Sequence, residues 1–167
     1  MTEVGGDEQV GGTMRGGVRA FSRTAARGAR ERAGLTQAEL AVLIGVTDGI
    51  VSAWESGTRA PSGRNLVALA RELGTPAIEL LNLREDELRL ADMRALYGLS
   101  GSEAASQLGI GTSTLYDIER GDRRPTGRTL AQLAKLYGVD ETTIEEAWER
   151  GRQARIAAIR RSHRPTS

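Results

Sequence analysis

The chain has 167 residues, 39% of them hydrophobic and 27% charged, which is ordinary for a soluble globular protein and enough for one domain or two small ones. It has no cysteine and one histidine, His163, so disulfides and thiolate metal sites are excluded and most routes to nucleophilic or metal catalysis are closed. Net charge is only +1, which alone implies nothing about nucleic acid. The charges are unevenly spread. Arg15, Arg19, Arg23, Arg27, Arg30 and Arg32 crowd one segment, and Arg150, Arg152, Arg155, Arg160, Arg161 and Arg164 close the chain. Acids gather between them, at Glu79, Glu85, Asp86, Glu87 and Asp92. Basic ends of this kind either follow phosphates or are solvated helix faces. No apolar run approaches the roughly 20 residues of a membrane span. The start of the sequence lacks the charged-then-apolar layout of a signal peptide. A soluble, cytoplasmic protein without cofactor, metal or membrane partner is expected.

Residues 1–17 are glycine-rich and nearly free of large apolar groups, so a flexible, disordered arm is expected there. A helical pattern begins at Phe21. The next feature is an internal repeat: the stretch from Gly34-Leu35-Thr36 to Gly74 matches Gly98-Leu99-Ser100 to Gly138 at a shift of 64 residues without a gap. Leu35, Glu39, Ala41, Gly45, Glu55, Gly57, Arg59 and Pro61 recur as Leu99, Glu103, Ala105, Gly109, Glu119, Gly121, Arg123 and Pro125. The chain carries two copies of one unit, with boundaries expected at 18–83 and 84–148 and an Arg-rich helix end and tail over 149–167.

Thr36-Gln37-Ala38-Glu39 reads as a capping box opening a short helix, and Ser100-Gly101-Ser102-Glu103 repeats it. Gly45 and Gly109 sit where that helix must stop. A further short helix buries Val51 and Trp54, or Leu115 and Ile118, and ends at Gly57 or Gly121. Leu66, Leu69, Ala70 and Leu73, matched by Leu130, Leu133, Ala134 and Tyr137, set the next one. Thr75-Pro76 predicts a fifth helix with proline in its first position. Between the copies, Asn82 is a candidate cap for a helix whose first turn holds Glu85, Asp86 and Glu87. Glu141 to Arg161 reads as one long helix with apolar positions at Ile144, Ala147, Trp148, Ile156 and Ile159. That helix is a candidate dimer element. Trp54 and Trp148 read as packing residues, not base-stacking platforms.

The spacing Ala41-x3-Gly45-x5-Val51 is that of a helix-turn-helix: alanine permits close crossing, glycine makes the turn, and the branched residue locks the second helix. Ala105, Gly109 and Leu115 repeat it. Each copy continues with Glu-x-Gly and Arg-x-Pro. At these residues the sequence resembles the Xre/Cro family of phage-repressor-type regulators, over roughly Phe21 to Leu81 and Glu85 to Trp148. The resemblance implies an all-α protein of two tandem five-helix lambda-repressor-like domains, each placing its third helix in the major groove of double-stranded DNA. It implies base-facing positions at Thr47, Asp48, Gly49, Ser52 and Ala53, and at Thr112, Ser113, Thr114, Tyr116 and Asp117. It assigns phosphate contacts to Gln37, Ser56 and Arg120, with Arg59, Arg64, Arg123 and Arg128 close by. Gly101 replaces the glutamine in the second copy. It further implies structural ion pairs Arg30–Glu55 and Arg94–Glu119.

The first recognition segment has no Arg, Lys, Asn or Gln, the usual bidentate base readers. The leading expectation is a sequence-specific transcriptional regulator, nucleoid-associated and acting as a repressor, with an asymmetric site or, for a homodimer, four reading heads. Two alternatives stay open: a protein-interaction module of the antitoxin or antirepressor type, and a low-specificity plasmid or nucleoid protein. No recognisable catalytic pattern appears, so an enzyme is not expected. A small-molecule effector is not legible.

Overall fold

A computed structural model describes residues 17–163, which are helical apart from turns and one isolated antiparallel bridge, Phe21 to Leu81. The expected arm, with Arg15, lies outside the described residues except for Gly17, as does Arg164. The first copy comprises α1 (Arg23–Arg32), α2 (Gln37–Ile44), α3 (Asp48–Ser56), α4 (Gly63–Glu72) and a 3-10 turn, Ala77–Leu80. The second comprises a 3-10 turn, Glu85–Glu87, then α5 (Leu90–Leu96), α6 (Gly101–Leu108), α7 (Thr112–Glu119), α8 (Gly127–Tyr137) and α9 (Glu141–Ser162). The 64-residue repeat therefore survives as structure: α2 maps onto α6, and α3 and α4 start where α7 and α8 start.

Local chemistry explains these limits. The Thr36 hydroxyl accepts from the Glu39 amide at 3.1 Å while the Glu39 carboxylate accepts from the Thr36 amide at 2.7 Å. Ser100 and Glu103 do the same at 3.2 and 2.8 Å. Gly45 and Gly109 end α2 and α6 with φ of 74° and 64°, a left-handed geometry that a Cβ would strain. Each turn delivers the next helix across α2 or α6, so Val51 and Trp54, or Leu115 and Ile118, enter a core with Leu66 and Leu69, or Leu133 and Ile144. The second core is closed by α9, which comes close to the end of α7. A Cβ on Gly121 would fall 2.6 Å from the Arg152 backbone nitrogen, and one on Gly151 3.0 Å from the Glu119 carbonyl oxygen. The Trp148 indole N–H donates to the Arg123 carbonyl at 2.9 Å.

Three boundary expectations are corrected. Phe21 is extended and pairs with Leu81, and α1 starts at Arg23, capped by Ser22. The segment after Pro76 is a single 3-10 turn with Pro76 at its cap, because the Leu81 amide bonds to Ile78 and the chain then turns into the bridge. Asn82 caps nothing: its amide donates to the Ala20 carbonyl at 2.7 Å, and Glu85, Asp86 and Glu87 form their own 3-10 turn with Arg84 before it.

The two copies pack directly on each other. Ile78, Leu83 and Leu96 touch both cores, and Ala95 of α5 is buried in the first. Helix α4 meets α5 at Gly63, where a Cβ would lie 2.9 Å from the Ala95 Cα. Asp92, only 2% exposed, takes the Arg19 guanidinium from before α1, with Nε to Oδ1 at 3.1 Å, and also accepts from the Arg89 amide at 2.9 Å. Arg64 reaches Glu103 at 2.6 Å across the same seam. Asp92→Ala removes both the tie to Arg19 and the cap of α5, and a loss of about 2–3 kcal/mol in urea unfolding is expected. A loss below about 0.5 kcal/mol would mean the seam does not depend on it.

Candidate nucleic-acid interface

One arginine in each copy holds three elements together. Arg30, at the end of α1, donates from Nε and Nη2 to Glu55 at 2.6 and 2.9 Å, and from Nη1 to the Leu35 carbonyl at 2.7 Å. Arg94 repeats every contact, to Glu119 at 2.6 and 3.0 Å and to the Leu99 carbonyl at 3.1 Å. The first helix, the turn after it and the third helix are thereby clamped by a bidentate pair. The Arg30 and Glu55 side chains are 10% and 7% exposed. Burial favours the protonated form of Glu55, but hydrogen bonds from Arg30 and Gln37 outweigh it and hold the carboxyl below its ordinary value.

With its inner face fixed, the third helix presents its outer face to solvent. Thr47, Asp48, Gly49 and Ser52 are exposed in copy one, and Ala53 is half-buried. The Asp48 carboxylate folds back onto the Gly49 amide at 2.9 Å. In copy two, Ser113 and Tyr116 are exposed, whereas Thr112, Thr114 and Asp117 are half-buried. Asp117 and Asp122 are both paired with Arg120, the latter at 2.9 Å, so this arginine is engaged on the surface and Asp117 is partly neutralised. Ser56 shares a 2.6 Å hydrogen bond with Thr58. Gln37 donates one N–H to Glu55 at 2.9 Å, which orients its carboxamide and leaves the second N–H of that group available. Arg64 is engaged at the seam between copies, while Arg59, Arg123 and Arg128 are exposed and meet no carboxylate among the described residues.

Two features escaped sequence reading. Val42 and Leu43 on α2 are 79% and 50% exposed, where the second copy has Ser106 and Gln107. Periodicity assigns Leu40, Ala41 and Ile44 to the apolar face, and Leu40 and Ala41 are buried and Ile44 half-buried; Val42 and Leu43 are left outside because the run is apolar throughout. The other is the contact of Tyr116 with Gly101, visible in sequence only as a large-for-small exchange when Gln37 and Ser52 are laid on them.

The described residues contain no cluster of metal-ligating side chains, and no described helix is long and apolar enough to cross a membrane. Two helix-turn-helix family models match the chain, one over residues 27–80 and the other over 86–147, together well over half of it. The cryptic phage CTXphi transcriptional repressor RstR of Vibrio cholerae is 33% identical over 66 residues, covering 35% of this chain and 60% of that protein. The match thus spans less than two thirds of that relative's length. No solved structure matches significantly.

The Arg30–Glu55 clamp has two measurable consequences. Glu55→Ala strands a nearly buried guanidinium, and an unfolding free energy lower by about 3–5 kcal/mol is expected in urea. Because the folded-state pKa of Glu55 is depressed, its stabilisation is complete above the ordinary value of 4.5 and is lost as pH falls through the folded value. Melting temperatures followed downward from pH 5 should therefore fall more steeply in wild type than in Glu55→Gln; equal slopes would remove Glu55 from the acid response.

Proposed function

Because the chain belongs to the helix-turn-helix family and carries that domain twice, we propose that it is a sequence-specific double-stranded DNA-binding transcriptional regulator, acting as a repressor. The observation that carries this reading is the pair of third helices, each anchored by a buried inner face and an Arg–Glu clamp while its outer face stays open. Thr47, Asp48, Gly49, Ser52 and Ala53 form the first reading surface, and Thr112, Ser113, Thr114 and Asp117, with Tyr116 at its edge, the second. Gln37, oriented by Glu55, and the uncommitted cations Arg59, Arg123 and Arg128 supply backbone contacts. Ser56 adds a hydroxyl beside them. Arg64 and Arg120 can join only by leaving Glu103, or Asp117 and Asp122, and such exposed pairs are worth at most about 1 kcal/mol each. The resemblance of one segment to a phage transcriptional repressor supports repression as the direction of control.

The two surfaces differ in chemistry, so the site is asymmetric, or a longer symmetric array if α9 pairs two chains. The packed seam between copies supports one fixed spacing between the two half-sites.

A second reading applies to copy one alone. Its exposed Val42 and Leu43, beside a third helix without strong base-reading side chains, suit a protein-contacting module of the antitoxin or antirepressor kind. The first experiment is selection of bound sites from a random duplex library. A sharp motif, degraded in part by Thr112→Ala/Ser113→Ala and in another part by Ser52→Ala, is expected. A motif indifferent to Ser52→Ala assigns copy one to protein contact. Binding indifferent to competitor DNA would mean a coating protein of the plasmid or nucleoid type, and no binding would overturn the reading. Arg123→Ala and Arg128→Ala should each weaken all duplexes similarly and lower the salt slope by about one.

A further inference from the structure

We infer that Tyr116 is the DNA-backbone contact of the second copy and not one of its base readers; this rests on the DNA-binding function proposed above. The internal repeat makes the comparison within one molecule. In the first copy the carboxamide of Gln37 crosses from α2 to α3 and donates to Glu55 at 2.9 Å, and the facing position on α3 is the small Ser52. In the second copy both residues are exchanged: Gly101 stands on α6 and Tyr116 on α7. The phenol crosses the same gap in the opposite direction. Its hydroxyl oxygen is the atom nearest to where a Gly101 Cβ would stand, and that Cβ would also be 2.5 Å from Cζ and 2.7 Å from Cε1. Glycine is a poorer helix former than alanine, and here it makes room for the ring. Each copy thus has one long polar side chain bridging its second and third helices at the same seam.

The ring is held from a second side. The Arg94 guanidinium carbon lies 6.0 Å from its centroid, and Arg94 cannot move without breaking the bidentate pair with Glu119. A phenol kept in this position is folded back over α6, although Tyr116 stands one turn from Ser113 on the same side of α7. Tyr116 is nevertheless 40% exposed, and its hydroxyl makes no hydrogen bond among the described residues. A fixed, neutral donor at the seam of the two helices fits a phosphate oxygen of the backbone that runs past the groove, and it carries no sequence information.

Tyr116→Phe keeps the ring and removes only the hydroxyl. The expected result is an affinity about three- to tenfold lower on the selected site and on random duplex alike. Base preferences and melting temperature stay unchanged, and so does the salt slope, since a neutral hydroxyl releases no counterion. Gly101→Ala displaces the ring while the fold, checked by thermal melting, is retained. It should cost at least as much affinity, and adding Tyr116→Phe should cost nothing further. A changed preference at one base pair in Tyr116→Phe would make Tyr116 a base reader, and unchanged affinity would make it mere packing; either overturns the assignment while leaving the DNA-binding function standing. Independent, multiplying losses in the double variant also overturn it. Absence of DNA binding by the wild type would sink both.

Discussion

Each copy depends on one bidentate ion pair, Arg30–Glu55 or Arg94–Glu119. The domains are small and their cores thin, so packing alone would leave the third helix free to roll on the second. The arginine prevents this by binding the third helix through two carboxylate bonds and the turn before the second helix through one carbonyl. Its geometry is the same in both copies although most of the surrounding side chains differ. The outer faces of α3 and α7 are free to vary because their orientation is set from behind.

The seam between copies carries the constraint to the scale of the whole chain. Gly63 brings α4 onto α5, Arg19 reaches Asp92, and Leu83 and Leu96 are shared between cores. Two helix-turn-helix units packed through shared apolar residues are held in one fixed relation; on the DNA-binding reading proposed above, the distance between half-sites then counts as well as their bases.

Within that scaffold the copies have diverged where they meet solvent. The first replaces polar Ser106 and Gln107 by Val42 and Leu43, and it offers Asp48 where the second has Thr112. The second neutralises its own acid, Asp117, through Arg120, and exchanges a glutamine bridge for a tyrosine one. Duplication preserved the clamps, caps and turns and left the surface chemistry open to separate uses.

Much of this is legible in the sequence. The gapless repeat, the capping boxes at Thr36 and Ser100, the glycines at 45 and 109 and the apolar spacing of the third helices are local or periodic signals, and backbone geometry obeys them directly. Residue types on the outward faces of α3 and α7 were likewise legible, because those faces follow from the helix register. The 3-10 turn after Pro76 and the extended Phe21 were not, since each answers to the other across the bridge between Phe21 and Leu81. Nor could sequence say that Arg64 is engaged or that Tyr116 lies over Gly101. Those facts depend on which side chains share space at separations of up to 39 residues for Arg64 and Glu103. The repeated helices and their caps follow from residue order, because those interactions reach only three or four residues along the chain. The joining of the two units, through Arg19 and Asp92, Arg64 and Glu103, and shared apolar residues, follows only from packing between residues far apart in the chain.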